Sequence, residues 1–314
     1  MEYVVLAYYL FTSVEDAERE IKEHKKFFKS RDIRCRIYIS HEGINGQMSA
    51  SKQAAHEYME WLKNKPAFAS IEFKLQEAPE HVFAKATVKM REQLVALDAK
   101  VKLELGGGHI SAEKWAEMLE TRDDHTLVLD VRNDYESAVG HFEGAFCPQL
   151  ETFREFPKLA DELKSDYDPE TTTVMMYCTG GIRCEVYSAM MREKGYKNVV
   201  QLDGGVIRYG EKMGSKHWKG KLFVFDDRLA VPLSPTDSGE TISTCSFCGV
   251  KNDTYLNCAH MDCNKLFLAC PKCAKEHNGC CSTECMGAKR VRKFDADERP
   301  KPYRKLPFEE KQCF

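Results

Sequence analysis

Fourteen cysteines are distributed very unevenly along this chain of 314 residues. The first 244 residues hold four of them, whereas nine lie between Cys245 and Cys285. Just before this stretch, Ser234 to Thr241 is polar, contains Pro and Gly and lacks apolar periodicity, which is typical of an exposed connection. The chain is therefore predicted to carry a separate cysteine-rich domain at residues 243–290, too small to fold on an apolar core alone.

The cysteine-rich stretch contains two C-x-x-C pairs separated by 21 residues. Close pairs of this kind each supply two corners of a tetrahedral zinc site, so two structural zinc ions are predicted. The first set is Cys245, Cys248, Cys270 and Cys273, and the second is Cys258, Cys263, Cys281 and Cys285. Cys280 is the spare cysteine in this assignment. His260 and His277 are alternative ligands, although exposed polar histidines are commoner.

Composition and length set the class of protein. Apolar residues make up 43% and charged residues 30% of the chain, and no apolar run reaches the ~18 residues of a membrane span. The apolar start, Met1 to Phe11, has no basic leader and no cleavage site, so it is predicted to be a strand rather than a signal peptide. Because cysteines in the reducing cytosol serve more often as ligands or catalysts than in disulfides, a cytoplasmic location without membrane contact is expected.

Residues 1–96 show strand and helix patterns in the order βαββαβ. Ser13 and Ser51 are predicted to cap the two helices, and Ile71 to Leu75 to form the last strand, with Val82 to Met90 as an extra edge. This order predicts a ferredoxin-like α+β domain. It carries no information about activity.

Residues 108–232 alternate apolar strands with helices. Thr126 to Val131, Thr173 to Tyr177 and Val199 to Leu202 are strands of the kind buried in a parallel sheet, and a helix is expected from about Arg183 to Lys194. The pattern predicts a doubly wound α/β domain, so the whole chain is an α/β multidomain protein. Ligand sites of such domains lie at the carboxyl ends of the strands.

One of these strand ends leads directly into Cys178. The loop that follows it consists of Thr179, Gly180, Gly181, Ile182, Arg183 and Cys184. The glycines allow backbone amides to turn toward the sulfur, and the helix amino terminus and Arg183 add positive potential, which favours a nucleophilic thiolate. Alternatively, Cys178 is a buried small hydrophobe. Cys184 either resolves an oxidised Cys178 or fills space in the helix.

Only four residues separate Cys178 from Arg183, one fewer than in phosphatases of this design, and the smaller ring favours sulfur over phosphate. Four segments then occur in the order found in rhodanese domains, which this region resembles: Asp130 to Glu136, Gly140 to Ala145, the Cys178 loop and Leu202 to Gly205. In that setting His141 and Glu143 belong to a structural turn rather than an iron site, and Asp130 and Arg132 to the scaffold.

The wider arrangement resembles the rhodanese-containing tRNA uridine hydroxylases over nearly the whole chain. The matching segments are His41 to Gly46, the Cys178 loop, Gly220 to Arg228 and the terminal cysteine array. The resemblance implies an acylphosphatase-like first domain and oxygen-dependent conversion of the wobble uridine of tRNA to 5-hydroxyuridine. It also implies that Cys178 is the active-site cysteine, acting through a persulfide. The sequence has no convincing flavin or dinucleotide fingerprint, so any further cofactor stays unassigned.

Candidate RNA contacts come from basic segments. From Met286 to Phe314 there are nine Lys and Arg against five Asp and Glu, and residues 291–314 are predicted to be a basic tail. A second basic run follows the rhodanese-like motifs: Arg208, Lys212, Lys216, Lys219 and Lys221. An ordinary solvated surface would explain both. His41, Glu42 and Asn45 are weaker candidates for a substrate cleft, since a turn would also explain that loop.

Two other functions fit the same residues. The protein is alternatively a sulfurtransferase that moves sulfane sulfur to a small or RNA acceptor. As a third interpretation, the rhodanese-like fold is a non-catalytic recruitment module, with the zinc domain and basic tail as a binding platform. A thiosulfate–cyanide assay tests the first of these, and a Cys178→Ser variant with an unchanged phenotype would support the second.

Overall fold

The computed structural model describes residues 2–97, 99–150 and 153–295. The chain forms two compact units: residues up to 224 with 231–240, and residues 225–230 with the described residues from 241 onward. Within these ranges, no helix combines the length and apolar character needed to span a bilayer.

The amino-terminal domain is built on a five-stranded sheet in the order β4-β1-β3-β2-β5. Its elements are β1 (Tyr3–Phe11), α1 (Ala17–Phe28), β2 (Ile33–Ser40), β3 (Gly43–Ser51), α2 (Lys52–Lys63), β4 (Lys74–Ala78) and β5 (Ala86–Met90). The predicted βαββαβ order is confirmed, and the extra edge strand β5 pairs parallel to β2. The ferredoxin-like α+β domain predicted for this part of the chain is therefore present.

Two local predictions in this domain were wrong. Asp16, not Ser13, caps α1, because its side chain accepts a hydrogen bond from the amide of Arg19 at 2.8 Å. The last strand begins only at Lys74, since Ile71 and Phe73 are drawn into the core from an irregular segment before it. The Ser51 cap is confirmed by its bond from the amide of Ala54.

The two helices cover one face of this sheet. Leu6, Ile37 and Met48 point from three neighbouring strands toward Tyr58 of α2 and are fully buried with it. Because side chains alternate along a strand, the residues between them point to the opposite face, which carries no helix of this domain. On β2 and β3 this helix-free face carries polar side chains, whereas Val5 of β1 and Ala78 of β4 are buried against Val82 and Phe83.

The middle domain has a parallel sheet in the order β6-β10-β9-β7. Its elements are β6 (Gly108–Ile110), α3 (Ala112–Thr121), β7 (Thr126–Asp130), α4 (Asp134–Ser137), β8 (Gly140–Phe142), α5 (Phe156–Glu162), β9 (Thr173–Tyr177), α6 (Ile182–Glu193), β10 (Asn198–Leu202), α7 (Gly205–Met213), β11 (Trp218–Gly220) and β12 (Leu222–Phe223). Helices lie on both faces: Tyr187 of α6 packs on one, and Trp115 of α3 and Tyr209 of α7 pack on the other. The predicted doubly wound fold is confirmed.

The second unit is small. A two-residue strand, β13 (Ala230–Val231), lies at its boundary, followed by β14 (Tyr255–Asn257), β15 (Leu266–Leu268), α8 (Pro271–Glu276) and α9 (Thr283–Met286). Arg292, which belongs to the predicted basic tail, donates to the carbonyls of Asn257 and Cys258 at 3.2 and 2.7 Å. The part of the predicted basic tail from residue 296 onward lies outside the described residues.

Candidate active site and metal sites

The active-site loop starts where β9 ends, and α7 fixes its backbone. The amides of Val206 and Ile207 donate to the carbonyls of Cys178 and Thr179 at 3.0 and 3.1 Å. The helix can approach this closely because Gly205 has a φ of +67°, and a Cβ there would lie 2.5 Å from the Cys178 carbonyl oxygen. With the loop carbonyls engaged by α7, the loop amides are left to face the sulfur.

The sulfur of Cys178 is fully buried and held as an anion. The amide of Gly181 donates to it over 3.1 Å. Burial opposes ionisation, but the Cys184 thiol, the charge of Arg183 and the loop amides outweigh it and lower the pKa of Cys178 to about 5. The group at the strand end is therefore a thiolate at neutral pH, rather than a packed neutral thiol.

Arg183 does not point freely into the loop, because Glu136 of α4 holds it. Its Nη1 and Nη2 donate to the two carboxylate oxygens of Glu136 at 2.5 and 2.8 Å. The same carboxylate accepts a hydrogen bond from the Thr179 hydroxyl at 3.0 Å. The Arg183 side chain is 11% exposed and that of Glu136 is fully buried, so the two form a nearly buried ion pair that supports the loop. No sequence pattern predicted this role of Glu136.

Cys184 lies in the first turn of α6, and the interaction of its thiol with Cys178 lowers the pKa of Cys178. Burial raises the pKa of Cys184 well above its ordinary value, so this thiol stays protonated. It therefore stabilises the neighbouring thiolate. The two roles predicted for it, resolving an oxidised Cys178 and filling space in the helix, stay predictions.

The predicted scaffold residues form a buried network behind the loop. Arg132 donates through Nε and Nη2 to the carboxylate of Asp130 at 2.9 and 2.6 Å. The Tyr177 hydroxyl donates to the same carboxylate at 2.8 Å. His141 bonds through Nδ1 to the carbonyl of Ser137, as expected of a structural turn. These groups fix the end of β9 from which Cys178 departs.

The amino-terminal domain contributes two side chains that sequence reasoning missed. Lys74 is buried, and its ammonium donates to the carbonyl of Gly180 at 2.8 Å. Burial lowers the pKa of Lys74 to about 8. The Tyr9 hydroxyl donates to Glu185 at 2.9 Å and lies 2.7 Å from the place a Cβ of Gly181 would take. The loop is thus covered by β1 and β4.

The three candidates in the first domain separate into two groups. His41 bonds through Nδ1 to the carbonyl of Val14 at 3.0 Å, and Glu42 accepts from the amide of Leu94 at 2.5 Å. These two residues of the β2–β3 turn are thus bonded to the segments that precede α1 and follow β5. Asn45 lies instead on the helix-free face of the sheet, opposite Tyr9 of β1 in the strand register.

The predicted basic run is not brought together at the loop. Arg208 lies near it and donates to Glu72 of the first domain at 2.5 Å. Lys212 is in the last turn of α7, four residues after Arg208 and so about 6 Å further along the helix axis. Lys216 pairs with Glu120 at 2.7 Å. The reason is geometric: α7 begins at the loop and leads away from it.

The ionisation of Cys178 is directly testable. We expect its alkylation rate to rise tenfold per pH unit up to about pH 5 and then to level off, because only the thiolate reacts. Replacing Cys184 by Ala removes a donor and should move this midpoint upward by about one unit or more. Mass spectrometry of the Cys178 peptide after timed alkylation measures both.

Cys35 provides the internal control for this titration. Burial raises its pKa to about 12, so its own peptide should show no midpoint in the same range. An unchanged midpoint in the Cys184→Ala protein would contradict the role given to that thiol.

The structure brings together both predicted sets of metal ligands. One is Cys245, Cys248, Cys270 and Cys273, and the other is Cys258, Cys263, Cys281 and Cys285; within each set all four sulfur atoms lie within 4.8 Å of one another. Each set could hold a metal ion. Cys280 is buried and belongs to neither set. Four sulfur donors with no other ligand suit zinc in a closed, structural site.

Metal removal should unfold the second unit. Its apolar core is small, centred on Leu256 and Phe267, and ligand thiolates crowded this closely repel one another without a cation. We expect Cys248→Ser and Cys263→Ser each to reduce bound zinc from about two ions per chain to about one. Elemental analysis of the purified protein measures this, and limited proteolysis reports unfolding.

Cys280→Ala is the matched control, because it replaces a buried cysteine of the same unit that lies outside both sets. It should retain both ions. Loss of zinc from this control, with full retention in the other two variants, would refute the ligand assignment.

Three family descriptions match successive parts of the chain. Residues 3–94 match the UPF0176 acylphosphatase like domain, residues 111–212 the rhodanese-like domain, and residues 219–286 the rhodanase C-terminal family. Together with the Cys178 loop, these matches define a rhodanese-like protein with an acylphosphatase-like domain in front.

Relatives that match nearly the whole chain identify one family within this class of proteins. A protein of Chlamydia muridarum is 55% identical over 304 residues, covering 96% of this chain and 92% of its own. A protein of Chlamydia trachomatis is 53% identical, covering 99% of this chain and 96% of its own. One of Protochlamydia amoebophila is 51% identical, covering 96% of this chain and 94% of its own. All three are named tRNA uridine(34) hydroxylase. The chain belongs to this family.

Two solved structures are similar to about a third of the chain. A rhodanese-like domain from Anabaena is 20% identical, with a TM-score of 0.30, covering 36% of this chain and 78% of that one. The single-domain sulfurtransferase RDL2 of Saccharomyces cerevisiae is 17% identical, with a TM-score of 0.31, covering 36% of this chain and 95% of that one.

Proposed function

We propose that this protein is an enzyme that hydroxylates carbon 5 of the wobble uridine of tRNA, with Cys178 as its active-site residue. The observation that carries the proposal is the buried thiolate, held by loop amides and the Cys184 thiol, in a chain whose full-length relatives are named for this activity. The same relatives make tRNA the substrate. A site that stabilises a sulfur anion also suits a persulfide, in which the negative charge lies on the outer sulfur.

The overall reaction determines which bonds form and break at the site. With molecular oxygen as the co-substrate, one oxygen atom replaces the hydrogen of the C5–H bond as a hydroxyl group. The other oxygen atom leaves as water, which requires two electrons and two protons from a reductant. In this proposal Cys178 carries the reactive sulfur, Arg183 and the loop amides hold its charge, and Glu136 keeps Arg183 in place.

We assign zinc to the two cysteine sets, where it would stabilise the second unit and take no part in the reaction. We place the protein in the cytoplasm, where tRNA is modified and where the thiols stay reduced.

The test uses cells that lack this protein and any parallel route to the same nucleoside. Mass spectrometry of their tRNA nucleosides should show that 5-hydroxyuridine and its derivatives disappear, and that the gene restores them only under aeration. Restoration to the same level without oxygen would contradict oxygen as the co-substrate. Unchanged nucleosides in the deleted strain would contradict the proposed activity.

The sulfurtransferase alternative predicts a different result. It requires high turnover of thiosulfate and cyanide by the purified protein, and sulfur-containing rather than oxygen-containing nucleosides that depend on it. We favour hydroxylation because the match to the named hydroxylases extends over both units of the chain rather than over the rhodanese-like region alone.

A further inference from the structure

The helix-free face of the amino-terminal sheet presents two ordered rows of side chains. In one row Gln47 lies directly opposite Arg36, and in the other Asn45 lies between Tyr9 and Tyr38. Lys89 of β5 extends the second row beyond Tyr38. Side chains that face each other across neighbouring strands are about 5 Å apart, so the six form one continuous surface. We call these six residues the open sheet face.

The chemistry of the open sheet face differs from that of the chain as a whole. The chain has a formal net charge of −3, yet none of the six residues is acidic, and Arg36 and Lys89 are exposed cations. The guanidinium of Arg91 lies 4.8 Å from the centre of the Tyr38 ring, which adds a third cation at this edge. Two tyrosine rings, two amides and three cations are a set suited to bases and phosphates together.

The open sheet face leads directly to the active-site loop. Tyr9 belongs to its second row and also bonds Glu185 in α6, the helix that follows the loop. The ammonium of Lys74 lies 5.2 Å from the Tyr9 ring centre and donates to the Gly180 carbonyl. A ligand that lies along the second row is therefore led toward Cys178.

We infer that the open sheet face binds the single-stranded anticodon loop of tRNA. Tyr38 stacks on a base, and Arg36, Lys89 and Arg91 contact phosphates on either side of it. A flat sheet with aromatic side chains suits unstacked bases of a loop, whereas duplex RNA is bound through its grooves and backbone. The inference rests on the proposed function, because that function makes the anticodon loop the part of tRNA that must reach Cys178.

The test compares charge reversals on two faces of the same domain. Arg36→Glu with Lys89→Glu should weaken binding of an anticodon stem-loop transcript at least about tenfold and reduce the salt dependence of binding by about two phosphate contacts. Lys25→Glu with Lys26→Glu makes the same charge change on the exposed side of α1 and should leave affinity within about twofold. Fluorescence anisotropy of the labelled transcript with the full-length protein measures both.

Substitutions of Tyr38 test the contribution of base stacking to RNA binding separately from that of charge. Tyr38→Ala should weaken binding about tenfold, whereas Tyr38→Phe keeps the ring and should bind as the unmodified protein does. Thermal unfolding identifies any variant that fails to fold, and Arg36→Gln with Lys89→Gln then replaces the charge reversal. Crosslinking of a 4-thiouridine-substituted loop to peptides of β2 and β5 is expected.

The outcomes distinguish the surface from the activity. If the protein modifies tRNA but the charge reversal and Tyr38→Ala both bind the transcript normally, the inferred surface is wrong and the proposed function stands. If the loop crosslinks to this face but no 5-hydroxyuridine forms, the function is wrong and the surface stands. A dimer that dissociates on charge reversal, with RNA binding unchanged, would show that a second copy of the chain occupies the face.

Discussion

Replacing Cys178 by Ser is expected to abolish formation of 5-hydroxyuridine, with a loss of at least about 10³-fold. A serine hydroxyl does not ionise at neutral pH even beside Arg183, and it cannot carry a second sulfur atom. The loop amides would then surround a neutral oxygen. The rate is measured as 5-hydroxyuridine formed in tRNA of cells that express the variant in place of the natural protein.

Cys147→Ser is the matched control, because Cys147 is a half-buried cysteine of the same domain that lies outside the active-site loop. Its activity should stay within about threefold of the unchanged protein. Binding of the anticodon stem-loop by the Cys178→Ser protein should also be normal. Normal 5-hydroxyuridine in cells with Cys178→Ser would show that the thiolate is not part of the reaction.

Glu136→Ala should have the largest effect on stability, about 3–5 kcal/mol of the free energy of unfolding. The change leaves the nearly buried guanidinium of Arg183 without its two-point partner, and it also removes the acceptor of the Thr179 hydroxyl. Glu136→Gln keeps one hydrogen-bond acceptor, so its free energy of unfolding should fall by less. Urea denaturation, followed by a signal of the middle domain, measures the loss.

Glu143→Ala provides the comparison on the same domain. Glu143 is 51% exposed and lies 3.9 Å from Lys219, so this surface pair should contribute less than about 1 kcal/mol. Similar losses for the two alanine variants would mean that Glu136 acts as an ordinary surface carboxylate. A loss of activity in Glu136→Gln at full stability would instead show that it positions Arg183 for the reaction.

Local sequence patterns predicted most of the fold correctly. β9 has the predicted limits, and β1 ends at Phe11 as predicted, because both are apolar runs that end at polar or glycine-containing segments. The order of elements followed from alternation and helical periodicity. The pattern failed at Ile71 and Phe73, because alternating burial is also produced by an irregular segment that lies against the core.

The site was predicted only in part, and the missing contacts share one cause. The Cys178 loop is contiguous in sequence, so its amides and Arg183 could be inferred from spacing. The bond from Lys74 to Gly180 joins residues 106 positions apart, and that from Tyr9 to Glu185 joins residues 176 apart. Neither residue differs in sequence from an ordinary strand residue. Their roles follow from the packing of two domains, which no local pattern encodes.

Those two bonds have a consequence for how a nucleotide is chosen. Because β1 and β4 are fastened to the loop and to α6, the distance from the sheet to the sulfur is constant. Because this distance is fixed, an RNA strand bound to the sheet places one particular nucleotide at the sulfur. That nucleotide lies a fixed number of positions away from those bound to the sheet. Selection of position 34 would then depend on counting from neighbouring nucleotides rather than on reading the uridine alone.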